Sequence, residues 1–109
     1  TGLTLGIAFD YGGRAEIVDA VKNLLAEGVT PKDINEEKFA DYLYTSDMPE
    51  VDLMIRTGGD YRISNFLLWQ TAYSELYFTD VLWPDFDGEH IDRAFESFSE
   101  RQRRFGKRI

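Results

Sequence analysis

The sequence predicts an α/β fold, with a partial parallel sheet and helices on its faces. Three apolar runs, at residues 3–9, 51–55 and 75–82, have the composition of buried strands. Segments with helical spacing follow these runs, and strands that alternate with helices are typical of parallel sheets. Three strands are few for such a sheet, and the chain begins with Thr1 rather than Met. We therefore expect a truncated or processed product whose sheet lacks an upstream strand.

The first helix is predicted after Gly12-Gly13, which break the first run. Apolar residues recur there at helical spacing, and Gly28 stands where a helix would stop: Ile17, Val18, Val21, Leu24 and Leu25. A second, shorter helical stretch opens at Thr30-Pro31 and Asn35 and carries Phe39, Tyr42 and Leu43.

The second half of the chain repeats this order. Ser64-Asn65 are good cap residues and predict a helix over residues 66–72. Pro84 ends the third run. Asp87 is the predicted cap of a last helix, which carries apolar residues on one face: Ile91, Ala94, Phe95 and Phe98.

Composition excludes several classes of function. The chain has no cysteine, so it has no disulfide, thiolate metal site or cysteine nucleophile. Its formal charge of -8 argues against broad nucleic-acid binding. No apolar run approaches the ~20 residues of a membrane span, and no signal peptide is visible. Five basic residues nevertheless crowd the end of the chain, where a solvated helix end, a phosphate contact and an anionic membrane surface all remain open: Arg101, Arg103, Arg104, Lys107 and Arg108.

The loop over residues 56–65 carries the strongest chemical signal. It follows a buried strand, and ligands of open α/β sheets bind at the carboxyl ends of strands. Gly58-Gly59 permit a sharp turn close to a ligand, and the amides at a following helix start favour an anion. Arg56, Arg62 and Ser64 add donors that match phosphate oxygens. The alternative from the residues alone is a turn whose arginines pair with nearby acids such as Asp60.

Two further features are weaker. The loop Tyr11-Gly12-Gly13-Arg14 occupies the equivalent place after the first run, and a tight turn explains it better than a ligand contact. Glu75 could hold Mg²⁺ near a diphosphate, although from the residues alone a surface ion pair explains it better.

These motifs resemble a known family. Residues 52–86, which begin DLMIRTGGDYRISNFLLWQ and continue through YSELYF to WPDF, resemble the last two signature regions of bacterial undecaprenyl diphosphate synthases. Residues 8–14 (AFDYGGR) resemble the preceding region, and residues 104–106 resemble the C-terminal Arg-x-Gly motif. The similarity covers essentially the whole chain. Residues 1–109 are therefore identified as the C-terminal part of a single cis-prenyltransferase domain and of its fold, with the N-terminal half absent.

The resemblance implies a prenyltransferase that condenses isopentenyl diphosphate onto an allylic diphosphate, usually farnesyl diphosphate, with the help of Mg²⁺. The product would be undecaprenyl diphosphate or a similar polyprenyl carrier for cell-wall synthesis. The family's N-terminal half supplies an Asp-Gly-Asn-x-Arg-type segment and most of the product tunnel, so we expect the chain alone to be inactive. We also expect a cytoplasmic homodimer, with peripheral membrane contact at the inner face for product release and no nucleic-acid partner.

The family also implies roles for individual residues. Arg56, Arg62 and Ser64 would hold the diphosphate of isopentenyl diphosphate, and Glu75 would contribute to the metal site. Arg104 and Gly106 would reach across a dimer to the partner's active site and bind substrate there. The resemblance assigns no catalytic residue within this chain.

The sequence departs from the family at two positions and leaves competing functions to weigh. Asp60 stands where the family usually has Glu, and Asp10 stands where it usually has Asn. A non-catalytic accessory subunit is disfavoured, because such subunits tend to lose the arginines of this loop. A simple phosphate-binding α/β module leaves the aromatic segment 69–83 unexplained. A trans-prenyltransferase is disfavoured, because the chain has no Asp-Asp-x-x-Asp motif.

Overall fold

The computed structural model describes residues 2–108, with side chains up to residue 102. The elements in chain order are α1 (Gly13–Ala26), a 3₁₀ turn (Pro31–Asp33), α2 (Glu36–Ala40), β1 (Leu53–Arg56), β2 (Glu75–Phe78), a 3₁₀ turn (Trp83–Asp85) and α3 (Gly88–Arg108). The strands β1 and β2 pair in parallel, which confirms the predicted α/β class. The elements form two compact units: residues up to 49 with 65–69, and residues 50–64 with 70 onward.

The first unit is built around α1. This helix confirms the predicted one, and it ends before Gly28, whose φ of 74° suits a residue without a side chain. Ala20 and Leu24 on α1 are buried together with Leu43, which follows α2. Three predicted face residues, Val18, Val21 and Leu25, are instead exposed. The helical spacing therefore predicted the helix correctly but placed its buried face too broadly.

The start of α1 is capped by a distant residue. The Gly13 amide donates to the backbone carbonyl of Asn65 at 2.7 Å. The Arg14 amide donates to the Asn65 side-chain carbonyl Oδ1 at 2.9 Å, across 51 positions of sequence. Two of the four unpaired amides of a helix start are satisfied in this way.

The predicted helix over residues 66–72 is wrong, because this segment forms turns. Ser64, Asn65 and Leu67 have φ values of 47°, 64° and 48°, which lie in the left-handed region and cannot continue a right-handed helix. Asn65 is a cap residue as its type suggested, but the helix that it caps is α1.

The predicted strand over residues 3–9 is also wrong in this structure. These residues form no strand and pair with none among residues 2–108. The apolar side chains that were expected to be buried on both faces are instead exposed. At the two ends of the run, Leu3 is 94% exposed and Phe9 is 89% exposed. A strand needs a neighbour to satisfy its amides and carbonyls, and the apolar pattern reports a preference for burial without supplying that neighbour.

The second unit contains the sheet. Leu53 lies opposite Glu75 and Arg56 lies opposite Phe78, so the carboxyl ends of both strands lie at the same edge. Among the described side chains of this unit, Met54 on β1 and Ala94 on α3 are the buried apolar ones, and Thr71 is buried as well. The third strand was predicted to reach residue 82, but β2 ends at Phe78.

Helix α3 begins as predicted. The Asp87 carboxylate accepts a hydrogen bond from the His90 amide at 3.2 Å, and His90 itself contacts both Asp87 and the ring of Phe86. Ala94 on the predicted apolar face is buried, whereas Phe95 is exposed. No helix among residues 2–108 combines the length and apolar character that crossing a membrane requires.

Candidate functional site

Arg56 is the last residue of β1, so its side chain begins at the carboxyl edge of the sheet, where ligands of such sheets bind. The guanidinium Nη1 donates to the backbone carbonyl of Arg62 at 2.7 Å and to the Ser64 hydroxyl at 2.8 Å. The side chain is 30% exposed. Arg56 is thus fixed by its own loop while part of its charged fork faces solvent.

Arg62 and Arg56 contact the two different oxygens of the Asp60 carboxylate. Arg62 Nη2 lies 3.3 Å from Asp60 Oδ1, and Arg56 Nη2 lies 3.3 Å from Asp60 Oδ2. Arg62 is 71% exposed, so its guanidinium is much more open to solvent than that of Arg56. The structure therefore brings Arg56, Arg62 and Ser64 together as predicted, and it also forms the arginine pairs with Asp60 that were the alternative.

The glycine amides of this loop are not available to an anion. The Gly58 amide donates to Val81 O at 2.9 Å, and the Gly59 amide donates to Thr79 O at 3.0 Å. These bonds join the loop to the residues that follow β2. The expectation that the glycine amides and a following helix would grip a phosphate is corrected on both points, because these two amides are bonded to the protein and residues 66–72 form turns. The side chains of the loop are therefore its candidate anion ligands.

Tyr61 secures the middle of the loop. Its hydroxyl donates to Asp80 Oδ1 at 2.8 Å, and its ring packs on Phe78 with centroids 5.6 Å apart. The hydrogen bond to Asp80 raises the pKa of Tyr61 above its ordinary value of 10.0. Together with the two glycine hydrogen bonds, this contact holds the loop against the end of β2. The backbone that carries the two arginines is fixed in this way.

Glu75 lies at the opposite end of the sheet. It begins β2, three register positions from the level of Arg56, which is about 10 Å along a strand. Its half-buried carboxylate pairs with Arg101 Nη1 at 3.2 Å, and the same nitrogen donates to Leu76 O at 2.7 Å. Within the described residues no three acidic, histidine or cysteine side chains form a group that could hold a metal. Glu75 can therefore supply one metal ligand, but these residues do not enclose a metal by themselves.

The predicted contributions of the basic tail lie mostly outside the described side chains. Arg104 and Gly106 fall within α3, and the structure describes side chains only up to residue 102. Their roles at a partner's site stay predictions. Arg101 is described, and its contact with Glu75 was missed from the sequence, because 26 positions separate the two residues and no local pattern links them.

The loop has the chemistry of an anion site. The Ser64 hydroxyl contacts one guanidinium group, and the Asp60 carboxylate bridges this group to a second one and partly neutralises both. Guanidinium forks match the oxygens of phosphate groups and keep their charge at any physiological pH. One positive charge is left over, so the loop attracts an anion.

Comparison with known proteins gives the family. The family model described as undecaprenyl diphosphate synthase matches residues 1–106. An isoprenyl transferase from Neisseria meningitidis serogroup A is 63% identical over 107 residues, which cover 98% of this chain and 42% of that protein. A ditrans,polycis-undecaprenyl-diphosphate synthase ((2E,6E)-farnesyl-diphosphate specific) from Pectobacterium atrosepticum is 55% identical over 109 residues, covering 96% of this chain and 43% of that protein.

A solved structure agrees with these relatives. The crystal structure of a probable undecaprenyl diphosphate synthase from Campylobacter jejuni superposes with a TM-score of 0.74 at 38% identity, covering 88% of this chain and 44% of that one. The chain thus spans less than half the length of the curated relatives that it matches. Its sequence and its fold lead to the same conclusion: the chain belongs to the undecaprenyl diphosphate synthase family of prenyltransferases.

Proposed function

We propose that the protein containing this chain is a cis-prenyltransferase, which condenses isopentenyl diphosphate onto an allylic diphosphate to make undecaprenyl diphosphate or a similar polyprenyl diphosphate. Farnesyl diphosphate is the proposed allylic substrate, as in the name of the Pectobacterium relative. The product would serve as a carrier in cell-wall synthesis. Synthesis would take place in the cytoplasm, at the inner face of the membrane, where a long polyprenyl chain can leave the enzyme.

The observation that carries this proposal is the convergence of Arg56, Arg62 and Ser64 at the carboxyl edge of the sheet. In the proposed role these side chains bind the diphosphate of isopentenyl diphosphate and hold its apolar end in one orientation toward the allylic substrate. Each charge-assisted contact is worth roughly 1.5–3 kcal/mol. The prenyl chain of the allylic substrate would be held by residues outside this chain.

Mg²⁺ is the proposed cofactor, with Glu75 as one of its ligands. Mg²⁺ commonly takes one or two carboxylates together with substrate phosphates and water, so a single carboxylate from this chain fits that pattern. When bound, the ion would neutralise charge on a diphosphate. Arg101 pairs with one oxygen of this carboxylate, Oε2 at 3.2 Å, so Oε1 is the oxygen that the metal would take while that pair is kept.

A homodimer is the proposed assembly, in which Arg104 and Gly106 act at the partner's site. The proposal can be tested by mixing two subunits of the intact protein, one truncated before Arg104 and one carrying Arg56→Ala. If the tail acts across the dimer, each heterodimer has one complete site, and about half of the activity per dimer returns. No rescue in the mixture would show that the tail works within its own subunit, and full activity of the truncated subunit alone would show that the tail is not needed.

The 109-residue chain alone should not turn over these substrates. It spans 42% of the Neisseria relative, and the proposed tunnel and second diphosphate site lie outside it. Incubation of the purified chain with farnesyl diphosphate, radiolabelled isopentenyl diphosphate and Mg²⁺ should give no labelled polyprenyl product. Chain elongation by the verified chain would show that it holds the catalytic residues after all.

The main test compares the two substrates in the intact protein. Arg56→Ala and Arg62→Ala should each lower kcat/KM for isopentenyl diphosphate by about tenfold to a hundredfold or more, because a charged contact is lost. The KM for farnesyl diphosphate should change less. Steady-state kinetics with each substrate varied in turn measure both values.

The matched control is Arg93→Ala. Arg93 is an exposed arginine on α3 that pairs with Glu89, so the variant removes the same charge away from the loop. It should leave both substrates' kinetics near those of the unaltered protein. Equal losses for both substrates in the Arg56 and Arg62 variants would contradict the assignment of this loop to isopentenyl diphosphate.

A further inference from the structure

Asp60 has an unusual position between the two arginines. Its two carboxylate oxygens face different guanidinium groups, with Oδ2 at 3.3 Å from Arg56 Nη2 and Oδ1 at 3.3 Å from Arg62 Nη2. A phosphate group bound to both arginines would present two oxygens in the same way. The carboxylate therefore satisfies the cluster as an anion would.

The two arginines are held differently. Arg56 is anchored independently of Asp60, through the Arg62 carbonyl and the Ser64 hydroxyl. Arg62 is far more exposed, and its described partner is Asp60. Exposed ion pairs contribute little stability, because water solvates both charges well when they separate. The contact between Asp60 and Arg62 is thus the one that a stronger anion can replace most easily.

We propose that Asp60 is a positioning residue that occupies the anion site while no substrate is bound and yields Arg62 to the incoming diphosphate. This inference rests on the proposed function of the loop. Arg56 stays in place during the exchange, and Arg62 passes from the carboxylate to a phosphate oxygen. Asp60 thereby keeps two like charges together in the free protein, and it competes with the ligand for one of them.

Competition has a consequence that distinguishes it from a purely structural role. Removing the carboxylate should tighten diphosphate binding, whereas loss of a support for the site would weaken it. Asp60→Asn keeps the size of the side chain and removes its charge, so the dissociation constant for inorganic diphosphate should fall about three- to tenfold, the effect of one or two exposed ion pairs. Asp60→Ser should change it in the same direction, and Asp60→Glu should stay near the unaltered protein.

The test is isothermal titration calorimetry of the intact protein with inorganic diphosphate in the absence of Mg²⁺. The gain from Asp60→Asn should disappear when it is combined with Arg62→Ala, because the carboxylate then has no guanidinium to compete for. Asp92→Asn is the matched control, since Asp92 is an exposed acid on α3 and its loss changes the net charge equally. A gain as large in this control would assign the effect to net charge and overturn the proposal.

The outcomes separate this inference from the function on which it rests. Weaker or unchanged binding in both Asp60→Asn and Asp60→Ser, with binding still lost in Arg56→Ala, would overturn the role of Asp60 and leave the diphosphate site standing. Binding that is unaffected by Arg56→Ala as well would overturn both. Tighter binding that depends on Arg62 supports the exchange.

Discussion

Gly12-Gly13 and Gly58-Gly59 are similar in sequence and different in structure. Each pair follows an apolar run and precedes a charged residue, Arg14 or Asp60. At the first pair the glycines allow close packing, since a Cβ on Gly13 would lie 2.8 Å from Leu68 Cγ and 3.1 Å from Asn65 O. At the second pair they allow a backbone conformation, since Gly58 and Gly59 have φ values of 93° and 91°.

The difference teaches what a glycine pair does and does not indicate. In both places glycine amides are bonded to the protein itself: Gly13 to Asn65, and Gly58 and Gly59 to the residues after β2. These three amides are therefore not free to bind a phosphate. Arg14 follows the first pair, but only the second pair lies beside two arginines, Arg56 and Arg62, that share a carboxylate, and those side chains make it a candidate site. A glycine pair thus marks where the backbone turns, and the neighbouring side chains decide whether a ligand can bind.

The largest effect on stability is expected at the first pair. Gly13→Ala should lower the free energy of unfolding by about 1–3 kcal/mol, because the new methyl group overpacks against Leu68 and the Asn65 carbonyl. Denaturant unfolding measures the loss. Gly88→Ala is the control: Gly88 is the first residue of α3 and has no atom within 4 Å of the position of a Cβ, so the change should stay within about 0.5 kcal/mol. Equal effects at both positions would contradict a packing role for Gly13.

A somewhat smaller loss of stability is expected at the second pair, together with a change in substrate binding. Gly58→Ala has space for its methyl group but a φ that costs an L residue about 1–2 kcal/mol. Relief of this strain should shift the loop that carries Arg56 and Arg62, so the KM for isopentenyl diphosphate should rise in the intact protein. Gly13→Ala should leave that KM unchanged in the folded fraction. If Gly13→Ala raised the KM and Gly58→Ala did not, the comparison between the pairs would be wrong.

The sequence predicted those features that depend on local chemistry. The start and end of α1, the cap of α3 by Asp87 and the parallel order of β1 and β2 all follow from spacing, caps and apolar runs. The position of Arg56 at the carboxyl edge of the sheet was predictable as well, because Arg56 comes directly after the apolar run that predicted the strand. The pairing of its guanidinium with Asp60 was one of two interpretations and is present in the structure, whereas phosphate binding stays a prediction.

The features that the sequence did not predict depend on contacts between residues that are far apart in the chain. Residues 66–72 have helical composition, but Asn65 lies in the left-handed region and caps α1 across 51 positions. The run at residues 3–9 has the composition of a strand but no paired neighbour among residues 2–108. Glu75 is neutralised by Arg101 from a helix 26 positions later. Such contacts leave no periodic trace in the sequence, so they require coordinates.

The tyrosines beside the two glycine pairs sharpen the comparison further. Tyr11 donates its hydroxyl to the Glu16 carboxylate, which is buried, and Tyr61 donates to Asp80, which is exposed. Burial, with the hydrogen bond and charge of Glu16, raises the pKa of Tyr11 far above its ordinary value of 10.0. The pKa of Tyr61 is raised as well, chiefly by its hydrogen bond to Asp80. The first pair is therefore next to a half-buried phenol bonded to a buried carboxylate, and the second pair is next to an exposed phenol bonded to an exposed one.

These shifts predict a loss of stability at high pH that is larger for Tyr11. A tyrosine whose pKa is raised by folding contributes stability that is fully present below its unfolded pKa and is lost as the pH rises toward the folded value. Between about pH 9 and pH 11, the unaltered protein should therefore lose stability relative to Tyr11→Phe, because the unfolded phenol ionises near pH 10 while the folded one stays neutral. Tyr61→Phe should show the same trend with a smaller amplitude.

Thermal unfolding across this pH range measures both differences. Tyr73→Phe is the control for the loss of a surface hydroxyl, because that side chain is 98% exposed. A larger loss of stability at high pH from Tyr61 than from Tyr11 would contradict the assignment of the more strongly shifted phenol to the first glycine pair.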